Sequence, residues 1–390
     1  MNRYKWQQEA LDLFLEKKHL IANVCTGAGK TIYGIDAIKE LRKIDPNYMI
    51  LVVVPKIVIL ETVWLKGLND AGLGPDKVGI YYGYAHEFSK ITLTTIASIS
   101  RLDLSMFDAI IVDEIHNMLS ASLIKLLKKP FKYKLGLSAS IKRRDQKHWK
   151  LLEYFNYNQY EYTMKQAIDD GIINKFVFNM IGVKIKEPEV LEEYNRLEES
   201  IKQYLTNGGG LDRIMRLPAT DPTKMAVLKM FGQRNDLINN YIRKVEIIAE
   251  LISKENKKTL VFSQYNKITR DLYWVLKDYG VRSEVINTNV KKNTRDVLLK
   301  EFEKDKYNVL LSSRIFEEGY NLPKIDRAIF LSSNSTSRQM IQRLGRVLRK
   351  KDYSSEAYYV YCVGTFEERY AEAAKTFVNE CAERITEVVV

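Results

Sequence analysis

Short apolar runs recur along this chain, each bounded by turn residues and separated from the next by an amphipathic stretch: Leu20 to Val24, Met49 to Val54, Ile91 to Thr95, Ala109 to Val112 and Leu135 to Ser138. Such spacing predicts buried parallel strands joined by crossover helices. From Lys186 to about Lys244 the pattern stops. That stretch is charged, helical in period and interrupted by Asn207-Gly208-Gly209-Gly210 and Pro218. The runs return with Thr259 to Phe262, Ser283 to Ile286, Val309 to Ser312, Ala328 to Leu331 and Ala357 to Val363. An α/β protein with two parallel-sheet domains in tandem and a helical insert at about 186–244 is the simplest account. At 390 residues the chain exceeds the ~250–300 that one hydrophobic core organises, and its 46% apolar residues suffice for two cores.

Ala167-Ile168-Asp169-Asp170-Gly171 reads as a helix ending at a glycine. The first domain is therefore expected over 1–165 and the second over 166–390, with Ile172 to Ile185 opening the second and the insert inside it. The triple glycine reads as a surface loop or a flexible tip. The insert's Arg213, Arg216, Lys224, Lys229, Arg234 and Arg243 suit either a thumb over a duplex or a helical brace.

Cys25, Cys362 and Cys381 show no C-x-x-C pairing and no metal-ligand spacing to a histidine, which argues against a zinc site or a disulfide framework. No apolar run approaches the ~18 residues of a membrane span, and the N-terminus lacks an apolar signal core. A soluble, cytoplasmic protein is expected, in a nucleoid or, if viral, inside a host cell. The net charge of +12 suits a polyanionic partner, although a solvated basic surface gives the same figure.

Thr26-Gly27-Ala28-Gly29-Lys30-Thr31 directly follows the first apolar run. Glycines there let backbone N–H groups close around phosphates, Lys30 can reach the β and γ oxygens, and the Thr31 hydroxyl can hold magnesium. Val24 stands where the strict pattern has a further glycine. Asp113 ends the run Ala109-Ile110-Ile111-Val112, where ligands meet parallel sheets, and would share the metal with Thr31. Glu114 would orient or activate water. Phosphoryl transfer also needs a cation where the transition state gathers charge. Arg346 and Arg349 lie three apart in Gln342-Arg343-Leu344-Gly345-Arg346-Val347-Leu348-Arg349 and would share one helix face. A basic, solvated helix explains the same residues.

Taken in order, these segments resemble the superfamily 2 helicases and translocases. Thr26 to Thr31 resembles their motif I, Asp113-Glu114-Ile115-His116 motif II, Ser138-Ala139-Ser140 motif III and Gln342 to Arg349 motif VI. Tyr4 and Gln7 resemble the adenine-reading glutamine element, with Gln8 as a rival. Pro55-Lys56 and Thr94-Thr95 fall at motifs Ia and Ib, Val261-Phe262-Ser263-Gln264 at motif IV, and Glu318-Gly319-Tyr320-Asn321-Leu322-Pro323 at motif V. Asn321 departs from the more usual Asp, and Arg143-Arg144-Asp145 from Arg-Glu-Asp of the XPB, phage UvsW and type III restriction helicase group, which the chain otherwise resembles most. Met1 lies 25 residues before Thr26, so the group's long N-terminal damage-recognition region is not expected.

The resemblance implies two RecA-like domains that use ATP and Mg2+, with Tyr4, Gln7, Thr26, Gly27, Ala28, Gly29, Lys30, Thr31, Gly319 and Gln342 holding nucleotide. Lys30, Asp113, Glu114, Arg346 and Arg349 would carry catalysis. The implied partner is nucleic acid, DNA in preference to RNA, gripped at Lys56, Thr95, Arg101 and Arg314. A monomer is expected, with an accessory nuclease or regulatory subunit left open. An ATP-switched clamp without processive movement and an RNA helicase are the alternatives. His116 would couple the domains by hydrogen bonding or be a buried structural histidine, and Trp64, Trp149 and Trp274 are expected to pack.

Overall fold

The computed structural model describes residues 3–74, 78–119, 123, 128–141, 148–313, 324–331, 340, 343–345, 348 and 351–390. The chain forms two compact units. One comprises Met1–Asn174 with the described residues of Arg338–Lys351; the other comprises Lys175–Ile315, Leu322–Ser337 and Asp352–Val390.

The first unit is built on β1 (His19–Val24), β2 (Ile50–Val54), β3 (Val78–Tyr82), β4 (Ala85–His86), β5 (Ile91–Thr95), β6 (Ala109–Asp113), β7 (Tyr133–Ser138) and β8 (Gln159–Tyr162). They form one sheet in the order β4-β3-β5-β2-β6-β7-β1-β8. Among the described residues only the β3–β4 pair of this sheet is antiparallel. Every residue of β2, β5, β6 and β7 is buried, as expected of strands covered on both faces. The helix Lys30–Ile44 shows how that cover is made. Its Tyr33, Ala37 and Leu41 follow the four-residue spacing of one helix face, with Gly34 and Ile38 beside them. It ends before Asp45-Pro46, where proline disfavours further helix. Gly34 has no room for a side chain, because a Cβ there would stand 2.6 Å from the Trp64 ring.

The second unit carries β9 (Phe176–Val183), β10 (Thr259–Ser263), β11 (Ser283–Ile286), β12 (Val309–Ser313), β13 (Arg327–Leu331), β14 (Ser355–Cys362) and β15 (Arg384–Val389). Their order is β11-β12-β10-β13-β14-β9-β15, and all pairs are parallel. The strand between Ile172 and Ile185 thus joins the second sheet from far upstream in sequence. Phe262, Phe330 and Tyr359 stack across three adjacent strands, with ring centroids 5.3 and 6.4 Å apart.

The expected insert is helical. Pro188–Asn207 and Pro222–Asn239 each open on a proline, whose missing N–H costs nothing in a first turn. Arg234 anchors the pair to the unit's body: it bonds Glu198 at 2.7 Å and lies 4.3 Å from the Phe366 ring centroid. Tyr194 accepts the Phe366 backbone N–H at 2.8 Å. These contacts fix the base of the hairpin to its own unit, while Tyr204, Leu211, Met225 and Leu228 face solvent. Among the described residues no helix is long and apolar enough to cross a membrane.

Candidate active site

Parallel pairing sends the carboxyl ends of β1, β2, β5, β6 and β7 to one edge of the first sheet. In register, Asn23 lies beside Ser138, Asp113 beside Leu137 and Val54 beside Thr95. Residues far apart in sequence therefore meet at the edge where such sheets bind ligands.

The loop leaving β1 turns through Gly27 and Gly29 at φ +91° and +95°, a backbone region that side chains rarely adopt. Lys30 opens the following helix and folds its ammonium back onto the Val24 carbonyl at 3.0 Å. First-turn N–H groups of a helix lack intrahelical partners, so the loop and helix start form an anion cradle. The buried Thr26 hydroxyl has no hydrogen-bond partner among the described residues, and a phosphate oxygen would supply the acceptor. Gln7 is 2% exposed. Its Nε2 donates to Gly29 O at 3.2 Å and its Oε1 accepts from Tyr4 N–H at 2.9 Å. Gln8 instead accepts from Arg3 and donates to Asp12 in solvent, so Gln7 is the glutamine beside the loop.

Asp113 is buried at the end of β6. Its Oδ2 accepts from the Trp64 indole N–H at 2.9 Å and its Oδ1 from the Glu114 N–H at 3.0 Å. Burial and then the adjacent Glu114 charge push its carboxyl up to about 6, against the pull of the Trp64 N–H and the Lys30 ammonium. Glu114 stands at φ +49°, left-handed backbone that costs a non-glycine residue about 1–3 kcal/mol and clusters at functional sites. His116 Nδ1 lies 3.0 Å from Ser138 Oγ and 3.3 Å from Glu114 Oε2. The Ser138 hydroxyl donates to Ser140 O, so a proton on Nδ1 is donated to Ser138 Oγ, and Glu114 Oε2 lies near the ring without accepting that hydrogen bond. The histidine is buried and ties motif II to motif III within this unit.

Among the described residues no group of three or more His, Cys, Asp and Glu is gathered to cage a metal. Magnesium does not need one. It is usually bound through one or two carboxylates together with substrate phosphates, and the Asp113–Glu114 edge beside the cradle fits that mode.

Gly345 is pressed against the same loop. A Cβ at Gly345 would stand 2.4 Å from the Thr26 carbonyl oxygen, and one at Gly27 would stand 2.7 Å from the Gly345 carbonyl oxygen. Only glycines permit this backbone approach. Gln342, Arg346 and Arg349 in that segment lie outside the described residues, as do Gly319 and Arg314.

Of the expected nucleic-acid grips, Lys56 and Arg101 are exposed, Lys56 directly beyond β2. Thr95 is buried at the end of β5, and its hydroxyl donates to Ser98 Oγ at 3.1 Å. Its carbonyl accepts the Ser98 N–H at 2.9 Å. Trp149 and Trp274 depart from the packing expected of them: they are 51% and 53% exposed, on the solvent faces of their helices. Lysine ammonium groups lie 5.6 and 5.0 Å from their ring centroids. Trp64 is fully buried, but sequence reading missed its bond to Asp113, which no local pattern could signal.

Residues 1–143 match the family model described as type III restriction enzyme, res subunit, and residues 243–351 match the helicase conserved C-terminal domain. The DNA 3'-5' translocase XPB2 of Sulfurisphaera tokodaii is 28% identical over 381 residues, covering 93% of this chain and 82% of that protein. The DNA 3'-5' helicase XPB of Kineococcus radiotolerans is 25% identical over 391 residues, covering 96% of this chain but 62% of its own length, so the chain spans less than two thirds of that relative. The Pyrococcus furiosus Hef helicase domain is similar in fold, with a TM-score of 0.63 at 17% identity over 95% of this chain and 97% of that one. Two mostly parallel sheets of this kind are tandem RecA-like domains. With both helicase models matched in order, the chain belongs to the superfamily 2 helicases, enzymes that hydrolyse ATP.

Proposed function

We propose that the chain uses ATP hydrolysis at the carboxyl edge of its first sheet to move along DNA or separate its strands. One observation carries this reading: the backbone approach of Gly345 to Thr26 and Gly27, which only a segment built to lie on the phosphate cradle would need. Arg346 and Arg349 follow in that segment, and we assign them the charge of the transition state. Residues 1–165 are assigned to ATP binding and 166–390, with the insert, to the helicase C-terminal domain.

Gln7 and Tyr4 are assigned to the adenine, the loop from Thr26 to Thr31 to the phosphates, with Lys30 at the γ-phosphate, and Gly319 and Gln342 to the nucleotide as well. Thr31 and Asp113 would hold magnesium, which supplies charge neutralisation between the β and γ oxygens. Glu114, whose Oε2 lies 3.3 Å from His116 Nδ1, orients the attacking water. Loss of the γ-phosphate removes what Lys30 and the two arginines grip. Lys56, Thr95, Arg101 and Arg314 are assigned to nucleic-acid phosphates, since a motor must tolerate any sequence. DNA is preferred because relatives named for DNA translocation and DNA unwinding align over nearly the whole chain.

Steady-state ATP hydrolysis measured side by side with duplex DNA, single-stranded DNA and RNA tests the reading. Strong stimulation by DNA is expected. Stimulation by RNA alone would make the chain an RNA helicase, and none by either polymer would leave an ATP-switched clamp.

A further inference from the structure

The carboxylate assigned to magnesium is held by a tryptophan. Asp113 Oδ2 accepts the Trp64 indole N–H at 2.9 Å while Oδ1 accepts the Glu114 N–H at 3.0 Å. One donor on each oxygen fixes the rotation of the carboxylate plane and leaves lone pairs for a metal. An indole N–H is donor only, so it cannot take a proton from the carboxylate or replace it as a ligand.

We propose that Trp64 is a positioning residue that aims Asp113 at magnesium. Trp64 is itself immobile: it is fully buried, and its ring edge lies so close to Gly34 that a Cβ there would be 2.6 Å away. Gly34 belongs to the helix that opens with Lys30 and Thr31. One ring thus braces both elements assigned to the metal, the strand that ends at Asp113 and the helix that begins with Lys30 and Thr31. Trp64 sits in the π-helical segment Leu60–Leu65, a rare geometry frequent at functional sites. The helical run containing it starts immediately after Lys56.

This inference rests on the magnesium role of Asp113, and the test keeps the two apart. Affinity for a non-hydrolysable ATP analogue is measured with Mg2+ and with EDTA in wild type, Trp64→Phe, Asp113→Asn and the double variant. Trp64→Phe should leave affinity in EDTA unchanged and lower the Mg2+-dependent gain by about 10–100-fold, the usual cost of removing a ligand's hydrogen-bond partner. In the Asp113→Asn background the same substitution should change the gain less than about 2-fold, since coupled positions do not add. Equal loss with and without Mg2+, or a loss that persists in the Asp113→Asn background, would make Trp64 a packing residue only. If wild type itself shows no Mg2+-dependent gain, the role of Asp113 fails first. Should Trp64→Phe not fold, the indole N–H resonance of wild type decides: it must be protected from exchange without metal and move on adding Mg2+ and nucleotide. A resonance indifferent to both would overturn the proposal.

Discussion

Two buried carboxylates, one in each unit, are treated in opposite ways. Glu367 receives the Lys244 ammonium on both oxygens at 2.7 and 2.6 Å, and its Oε2 also accepts the Cys362 N–H at 2.8 Å. Lys244 spends a further donor on the Ile238 carbonyl at 2.9 Å. Asp113, also buried, has no ion pair among the described residues; its bonded donors are neutral N–H groups, the Lys30 ammonium acts on it only from beyond ion-pair distance, and a second carboxylate follows it. The first arrangement cancels its charge inside the protein. The second leaves charge uncancelled, which stability alone would not select and a divalent ion and a triphosphate would complete.

If that contrast is right, damage at the two sites must separate turnover from stability. Glu114→Gln keeps the shape of the edge and removes the charge, so hydrolysis should fall by about 10²–10⁴-fold. ATP binding and the unfolding midpoint should stay near wild type. Lys30→Ala should lose turnover through lost phosphate contacts, with nucleotide binding weakened as well. Wild-type rates in either variant would remove the edge from catalysis, and the contrast with it.

The inner strands of the sheets could be read from sequence because a strand buried on both faces is apolar without interruption, as in Ile50–Val54 and Ala109–Asp113. Two edge strands escaped, although the edge strand Ser283–Ile286 was legible. Gln159–Tyr162 and Arg384–Val389 are half exposed and carry polar residues, so neither produces an apolar run. In the site, the phosphate loop and Asp113-Glu114 were legible because their parts are contiguous. Trp64 to Asp113, His116 to Ser138 and Gly345 to Thr26 were not, since strand order alone or a close backbone approach creates those contacts. The buried Lys244 gave no sign either: it falls in a charged stretch and finds Glu367 across 123 residues.

Lys244→Ala sharpens the other side of the contrast. Removing one partner strands a buried charge, which costs about 3–5 kcal/mol. Chemical denaturation should show that loss, while the fraction that remains folded hydrolyses ATP at the normal rate per molecule. A loss below about 1 kcal/mol would mean that the pair contributes little to the fold, and it would no longer be the counterexample.

The smallest effect is the most discriminating, because its sign is unusual. The folded Asp113 carboxyl is raised to about 6, so the folded chain binds that proton more tightly than the unfolded chain, whose carboxyl titrates near its ordinary ~3.9. Stability from this group is therefore fully present below about pH 4 and is lost as pH rises through about 6. An amide in its place does not titrate and has no such loss. In EDTA, wild type should lose stability as pH rises from 4.5 to 7.5, and Asp113→Asn, which has no proton to release and offers only one acceptor to the Trp64 and Glu114 N–H groups, should show a flatter pH dependence while hydrolysis is abolished. Adding Mg2+ and nucleotide should stabilise wild type more than the variant. Unfolding followed at pH 4.5 and 7.5 measures both statements. A wild-type pH dependence of stability that Asp113→Asn leaves unchanged would show that the carboxylate is already satisfied, and the two buried sites would then differ only in their neighbours.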